Sequence, residues 1–138
     1  MKKSLEIWIK NELSELNRIR KPLELFYTRH KFSSSMSFSI DLVIEELLSN
    51  IIYYAYQDQK EHEILLLLRI KQGELILRIE DDGKAFNPLN VRAPKLTQNV
   101  EERPIGGLGI ALLKKTVDDI AYHYRDNKNC IIIKKKID

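Results

Sequence analysis

Cysteine is nearly absent. The 138 residues hold one, Cys130, so no internal disulfide framework staples the fold. Cys130 lies in an apolar run and is expected to be a small buried hydrophobe. Long hydrophobic runs are missing too: no stretch reaches the roughly 18 uninterrupted apolar residues of a membrane span. The opening Met1-Lys-Lys-Ser4 leads into the charge-interrupted Leu5-Glu-Ile-Trp-Ile-Lys10. That is not a signal-peptide pattern, and the cytoplasm is the expected location. No strong charge excess is present. The net charge of +3 is too small to point to nucleic acid. The lysines at 134–136 read as a solvated edge strand, where they discourage aggregation. His30, His62 and His123 are scattered without ligand spacing. Tyr53, Tyr54, Tyr56, Tyr122 and Tyr124 read as packing or surface residues rather than a base-stacking platform. Repeats and linkers are lacking as well. Residues 1–138 therefore read as one globular domain, long enough to bury a core.

Periodicity places the elements. Leu5, Ile7 and Ile9 alternate with Glu6, Trp8 and Lys10, the pattern of a half-buried strand. From Asn11 to about His30, Leu13, Leu16, Ile19, Leu23 and Phe26 recur at helical spacing, with Pro22 a kink or break. Ser33-Ser-Ser35 marks a loop, and Ser39 is the expected cap of a second helix ending near Tyr56-Gln-Asp58. Residues 63–71 and 74–80 form a hairpin around Lys71-Gln-Gly73. Residues 85–105 show no period and carry Pro88, Pro94 and Pro104; at about 20 residues the segment is longer than most internal loops. Ile110, Leu113, Val117, Ile120 and Tyr124 then suggest a helix. A turn at Asp126-Asn-Lys-Asn129 and a last strand over 130–137 follow. The order β-α-α-β-β-loop-α-β predicts an α+β, two-layer sandwich with helices on one face of a mixed, mostly antiparallel sheet.

Three short segments carry chemistry. In Glu46-Leu-Leu-Ser-Asn50, Glu46 and Asn50 share a helix face one turn apart. An amide oxygen is a hard neutral ligand suited to Mg²⁺, and a nearby carboxylate can deprotonate a hydroxyl. The ordinary alternative is a solvated helix face. Glu45 is the neighbouring competitor, but only Glu46 stacks one turn below Asn50. In Asp81-Asp-Gly83, period two puts Asp81 on the inward face with Leu75, Leu77 and Ile79. An inward carboxylate needs a partner, such as an exocyclic amine. Gly83 permits close backbone approach or positive φ, although Asp-Gly is also a common turn pair. In Gly106-Gly-Leu-Gly109, glycines open a helix whose free amides suit an anion; the alternative is a hinge. It is neither the dinucleotide fingerprint nor the Walker loop. In conjunction the three describe a pocket for a magnesium-bound nucleotide with a base at its side.

Here the chain resembles a known family. Glu45-Glu-Leu-Leu-Ser-Asn-Ile-Ile-Tyr-Tyr-Ala-Tyr56, Glu80-Asp-Asp-Gly-Lys-Ala-Phe-Asn-Pro88 and Glu102-Arg-Pro-Ile-Gly-Gly-Leu-Gly-Ile110 look like the Bergerat-fold ATPase domain of gyrase, histidine kinases and MutL. Within it they most resemble the small serine kinases that act as bacterial anti-sigma factors. The resemblance implies that Glu46 is the catalytic base, that Asn50 is the Mg²⁺ ligand, and that Asp81 reads adenine beside Gly83. It places Gly106, Gly107, Leu108 and Gly109 on the phosphate loop, and residues 85–105 on the ATP lid. It implies ATP and Mg²⁺ as cofactors, an anti-sigma-factor antagonist as protein substrate, a sigma factor as sequestered partner, and a homodimer. Neither direct nucleic-acid binding nor a membrane is expected. A nucleotide-gated binding module without kinase activity is the alternative. Ala85 stands where many members carry a second glycine, Tyr54 where histidine is frequent, and Asn129-Cys130 where Gly-Thr is often found.

Overall fold

The computed structural model describes residues 3–90 and 107–137. Strand β1 (Ser4–Lys10) is followed by helices α1 (Glu15–Arg18), α2 (Arg20–Arg29) and α3 (Ser34–Tyr54). The hairpin β2 (Glu63–Lys71) and β3 (Glu74–Asp81) comes next, then a 3₁₀ turn over Pro88–Asn90 and helix α4 (Gly107–Thr116). A second hairpin, β4 (Asp119–Arg125) and β5 (Lys128–Lys136), closes the chain. The strands form one sheet in the order β1-β2-β3-β5-β4. Every pairing is antiparallel, so the expected mixed character gives way to a uniform sheet.

Side-chain alternation decides which face the helices cover. Ile7 and Ile9, Ile64, Leu66 and Leu68, Leu75, Leu77 and Ile79, and Ile131 and Ile133 point to one side and are buried. They join Leu23, Phe26, Ile40, Ile44, Leu47, Leu48 and Leu113 in a single core. Each such side chain contributes about 1.5–3 kcal/mol on burial, so a one-residue register slip in any central strand would cost several. Both hairpins turn through residues with positive φ, Gln72 and Gly73 in the first and Asp126 and Asn127 in the second. Paired left-handed residues match the twist of the flanking strands.

Three expectations change. Helix α3 begins at Ser34 rather than at Ser39, because Ser33 is extended and its Oγ accepts the Met36 amide at 3.0 Å. The serine cluster is thus a cap with two helical residues behind it. Residues 119–125 are a strand, not helix. Ile120 and Tyr124 lie four apart, a spacing both periods allow, but Tyr122 completes a period-two set of residues favoured in strands. Helix α4 stops at Thr116, where Lys135 Nζ donates to the Thr116 carbonyl at 2.7 Å. The lysine run therefore lies on an interior strand, flanked by β3 and β4, and one of its members caps a helix. Pro22 behaves as expected: α1 and α2 break at Ile19, leaving it in the first turn of α2, where its missing N–H costs nothing.

Register also fixes the polarity of the sheet. Ser4, Arg69, Ile76 and Lys134 align at one end. Asp81 and Asn129 pair at the other.

Candidate nucleotide site

Helix α3 supplies the first wall. Asn50 is 9% exposed, and its Nδ2 donates to Glu46 Oε1 at 3.3 Å. That contact turns the amide oxygen away from Glu46. Burial pushes the Glu46 carboxyl above its ordinary range, and the Asn50 bond opposes this. Glu45 points elsewhere, to the Arg20 guanidinium at 3.6 Å. The helix thus separates the two glutamates as their spacing requires.

Strand β3 supplies the second wall. Asp81 ends the inward row and is 6% exposed. Burial raises its pKa; hydrogen bonds from Asn129 Nδ2 (3.0 Å) and the Gly83 amide (2.9 Å) oppose the rise. Both donors reach the same oxygen, Oδ1. A cavity of about 40 Å³ lies between the walls, lined among others by Asn50, Ile51, Asp81, Phe86, Tyr122 and Asn129. One ordered water needs about 10–15 Å³, so the cavity is larger than a single water requires.

Gly83 is required by close approach, not by positive φ. A Cβ there would sit 2.5 Å from Ala55 Cβ and 2.6 Å from the Ala55 carbonyl oxygen. The same carbonyl accepts the Lys84 amide at 3.0 Å, which ties the C-terminal end of α3 to the chain leaving β3. Gly83→Ala is expected to cost about 1–3 kcal/mol, as overpacking does. Urea denaturation would read this as a lowered midpoint with unchanged slope.

Gly107, Leu108 and Gly109 form the first turn of α4, and a helix leaves its first backbone amides without intrahelical partners, a setting that suits an anion. Gly106 and most of the 85–105 segment lie outside the described residues. Lys114 Nζ donates to the Leu89 carbonyl at 2.8 Å and links α4 to the 3₁₀ turn.

Two groups escaped the sequence reading. Asn129, expected as a turn residue and a departure from the family pattern, bonds Asp81 directly. The sole local signal was its inward parity one residue before Cys130. His62 belongs to a cluster: Nε2 lies 2.8 Å from Asp58, Nδ1 lies 3.2 Å from Asp82, and the ring stacks on Tyr56 with centroids 4.1 Å apart. A neutral imidazole has one N–H, so carboxylates on both nitrogens favour the charged ring. The Asp58 hydrogen bond, helped by Asp82, raises the His62 pKa against desolvation. A raised histidine contributes stability that is fully present below the unfolded value of about 6.5 and is lost as pH rises through the folded value. The melting temperature should fall across that window, and His62→Gln should flatten the fall; thermal melts in a pH series would check it.

Residues 9–135 match the histidine kinase-like ATPase domain. The chain belongs to that family. It is 30% identical over 107 residues to the serine/threonine-protein kinase BtrW of Bordetella bronchiseptica, covering 78% of this chain and 75% of BtrW. It is 25% identical over 136 residues to the serine-protein kinase RsbW of Listeria innocua, covering 95% of this chain and 85% of RsbW. Among solved structures, the RsbU and RsbW domains of a Mycobacterium tuberculosis protein superpose with a TM-score of 0.71 at 12% identity, over 97% of this chain. This chain spans 32% of that longer one. The α+β fold of this domain, an open antiparallel sheet with helices on one side, is like that of the solved structure. No described helix is long and apolar enough to cross a membrane.

Among the described residues, no group of three or more His, Cys, Asp or Glu side chains is placed to hold a metal by itself. A buried neutral amide beside a carboxylate instead fits Mg²⁺, which keeps waters and takes phosphate oxygens.

Proposed function

We propose that this domain is an Mg·ATP-dependent protein serine kinase of the anti-sigma type. The observation that carries the reading is that Asn50, paired with Glu46 one turn below it on α3, lines a pocket whose other wall holds buried Asp81. Asp81 would accept from the adenine amine. Asn50 would hold Mg²⁺, which supplies charge neutralisation across the phosphates. The first-turn amides of α4, with Gly106 before them, would cradle those phosphates. Glu46 would take the proton of a serine hydroxyl as its oxygen bonds the γ-phosphorus and the bridging oxygen leaves with ADP. Such transfer depends mainly on positioning and charge stabilisation.

The protein substrate in this reading is an anti-sigma-factor antagonist, and a sigma factor is the partner held inactive in the cytoplasm. Trp8, half exposed on edge strand β1, would lie at a homodimer contact. Incubation with γ-labelled ATP, Mg²⁺ and a purified antagonist tests the activity. Labelled phosphoserine on the antagonist would support the kinase. Nucleotide-dependent capture without label would favour a gated binding module.

A further inference from the structure

Asn129 is 6% exposed and uses its whole hydrogen-bonding capacity. Nδ2 donates to Asp81 Oδ1 at 3.0 Å and to the Lys84 carbonyl at 2.8 Å, with the Gly83 carbonyl further off at 3.4 Å. Oδ1 accepts the Phe86 amide at 3.0 Å and the Tyr122 hydroxyl. One side chain on β5 thereby holds the carboxylate at the end of β3 and the backbone that leaves it. It also places Phe86, a wall of the same pocket. These partners lie more than 40 positions away in sequence, Tyr122 excepted.

We propose that Asn129 is a positioning residue for base recognition, in a role that rests on the nucleotide reading of Asp81. With Oδ1 saturated by Asn129 and the Gly83 amide, the carboxylate cannot rotate freely, and Oδ2 is the oxygen presented to the base. The same amide sets the course of residues 83–86, so the polar and apolar walls of the pocket are held by one group. No other side chain of this length offers both donors and an acceptor. Aspartate lacks the donor, and threonine supplies only one.

The test is calorimetric titration of ADP and IDP, at pH 6 and pH 8, into wild type, Asn129→Ala and Asn129→Asp. IDP carries an oxygen where ADP carries the amine. Released from one of its two anchors, Asp81 can turn away from that oxygen. The ADP-over-IDP preference in Asn129→Ala should therefore fall about tenfold, a change of about 1.4 kcal/mol. Asn129→Asp sets a second carboxylate against Asp81, with Asp82 close by and the Tyr122 hydroxyl on the other oxygen. Paired carboxylates take up a proton readily, and the protonated one regains a donor. Between pH 8 and pH 6 this variant should gain ADP affinity relative to wild type, a comparison in which the titration of His62 beside Asp82 is common to both proteins. Equal losses for ADP and IDP at both pH values in both variants would overturn the proposal and leave Asn129 a purely architectural residue. If wild type itself bound no ADP, the nucleotide reading would fall first, and this one with it.

Discussion

Glu46→Gln is expected to abolish phosphoryl transfer while leaving nucleotide affinity close to wild type. General bases contribute about 10²–10⁴-fold, and the loss should appear in kcat. Glutamine keeps the oxygen that accepts from Asn50 Nδ2, so the helix face and the Asn50 amide stay in place. Only proton acceptance is removed. The wild-type rate should show an acid limb set above the ordinary glutamate range, since burial raises the Glu46 carboxyl. Activity is lost as pH falls through that value. Residual activity in the variant should lack this limb. Single-turnover label transfer at a series of pH values would measure both effects. Undiminished transfer would exclude Glu46 as the base and direct attention to Glu45, which the Arg20 contact holds away from the pocket.

Asp81→Asn should have the second largest effect. Two donors, the Gly83 amide and Asn129 Nδ2, converge on Oδ1. The amide oxygen of the variant must take that position, which turns its NH₂ group toward the base. Adenine would then meet a donor with its own donor. The lost charged hydrogen bond alone is worth about 1.5–3 kcal/mol, so ADP affinity should fall about 100-fold. IDP, with an acceptor at that position, should become the better ligand. Titration of both nucleotides reads the reversal directly; unchanged ADP binding would remove Asp81 from base recognition.

Much of this was legible in the chain because it was local. Alternation marked β1, a continuous apolar run over 64–68 marked β2, and the shared parity of Leu75, Leu77 and Ile79 set the inward aim of Asp81. The four-residue offset of Glu46 and Asn50 set their shared face. What was hidden depended on distant partners or on ambiguous spacing. Ile120 and Tyr124 satisfy either period, and only pairing with β5 decides for a strand. Ser33 and Ser39 both have a side chain able to cap, and the choice is made by backbone geometry at Ser33. Asn129 sits at the mouth of a turn, an unremarkable place for asparagine, while its partners come from β3 and the chain beyond it. His62 looked isolated because Asp82 arrives from the chain just past β3, 20 residues away.

The polarity of the sheet bears on how such a domain can be joined to others. Residue 4 and residue 136 lie at the end of the strands remote from Asp81 and Asn129. A sensor, a phosphatase or an engineered reporter attached at either terminus would hang from the side opposite the pocket. It would therefore leave the approach to the pocket unobstructed.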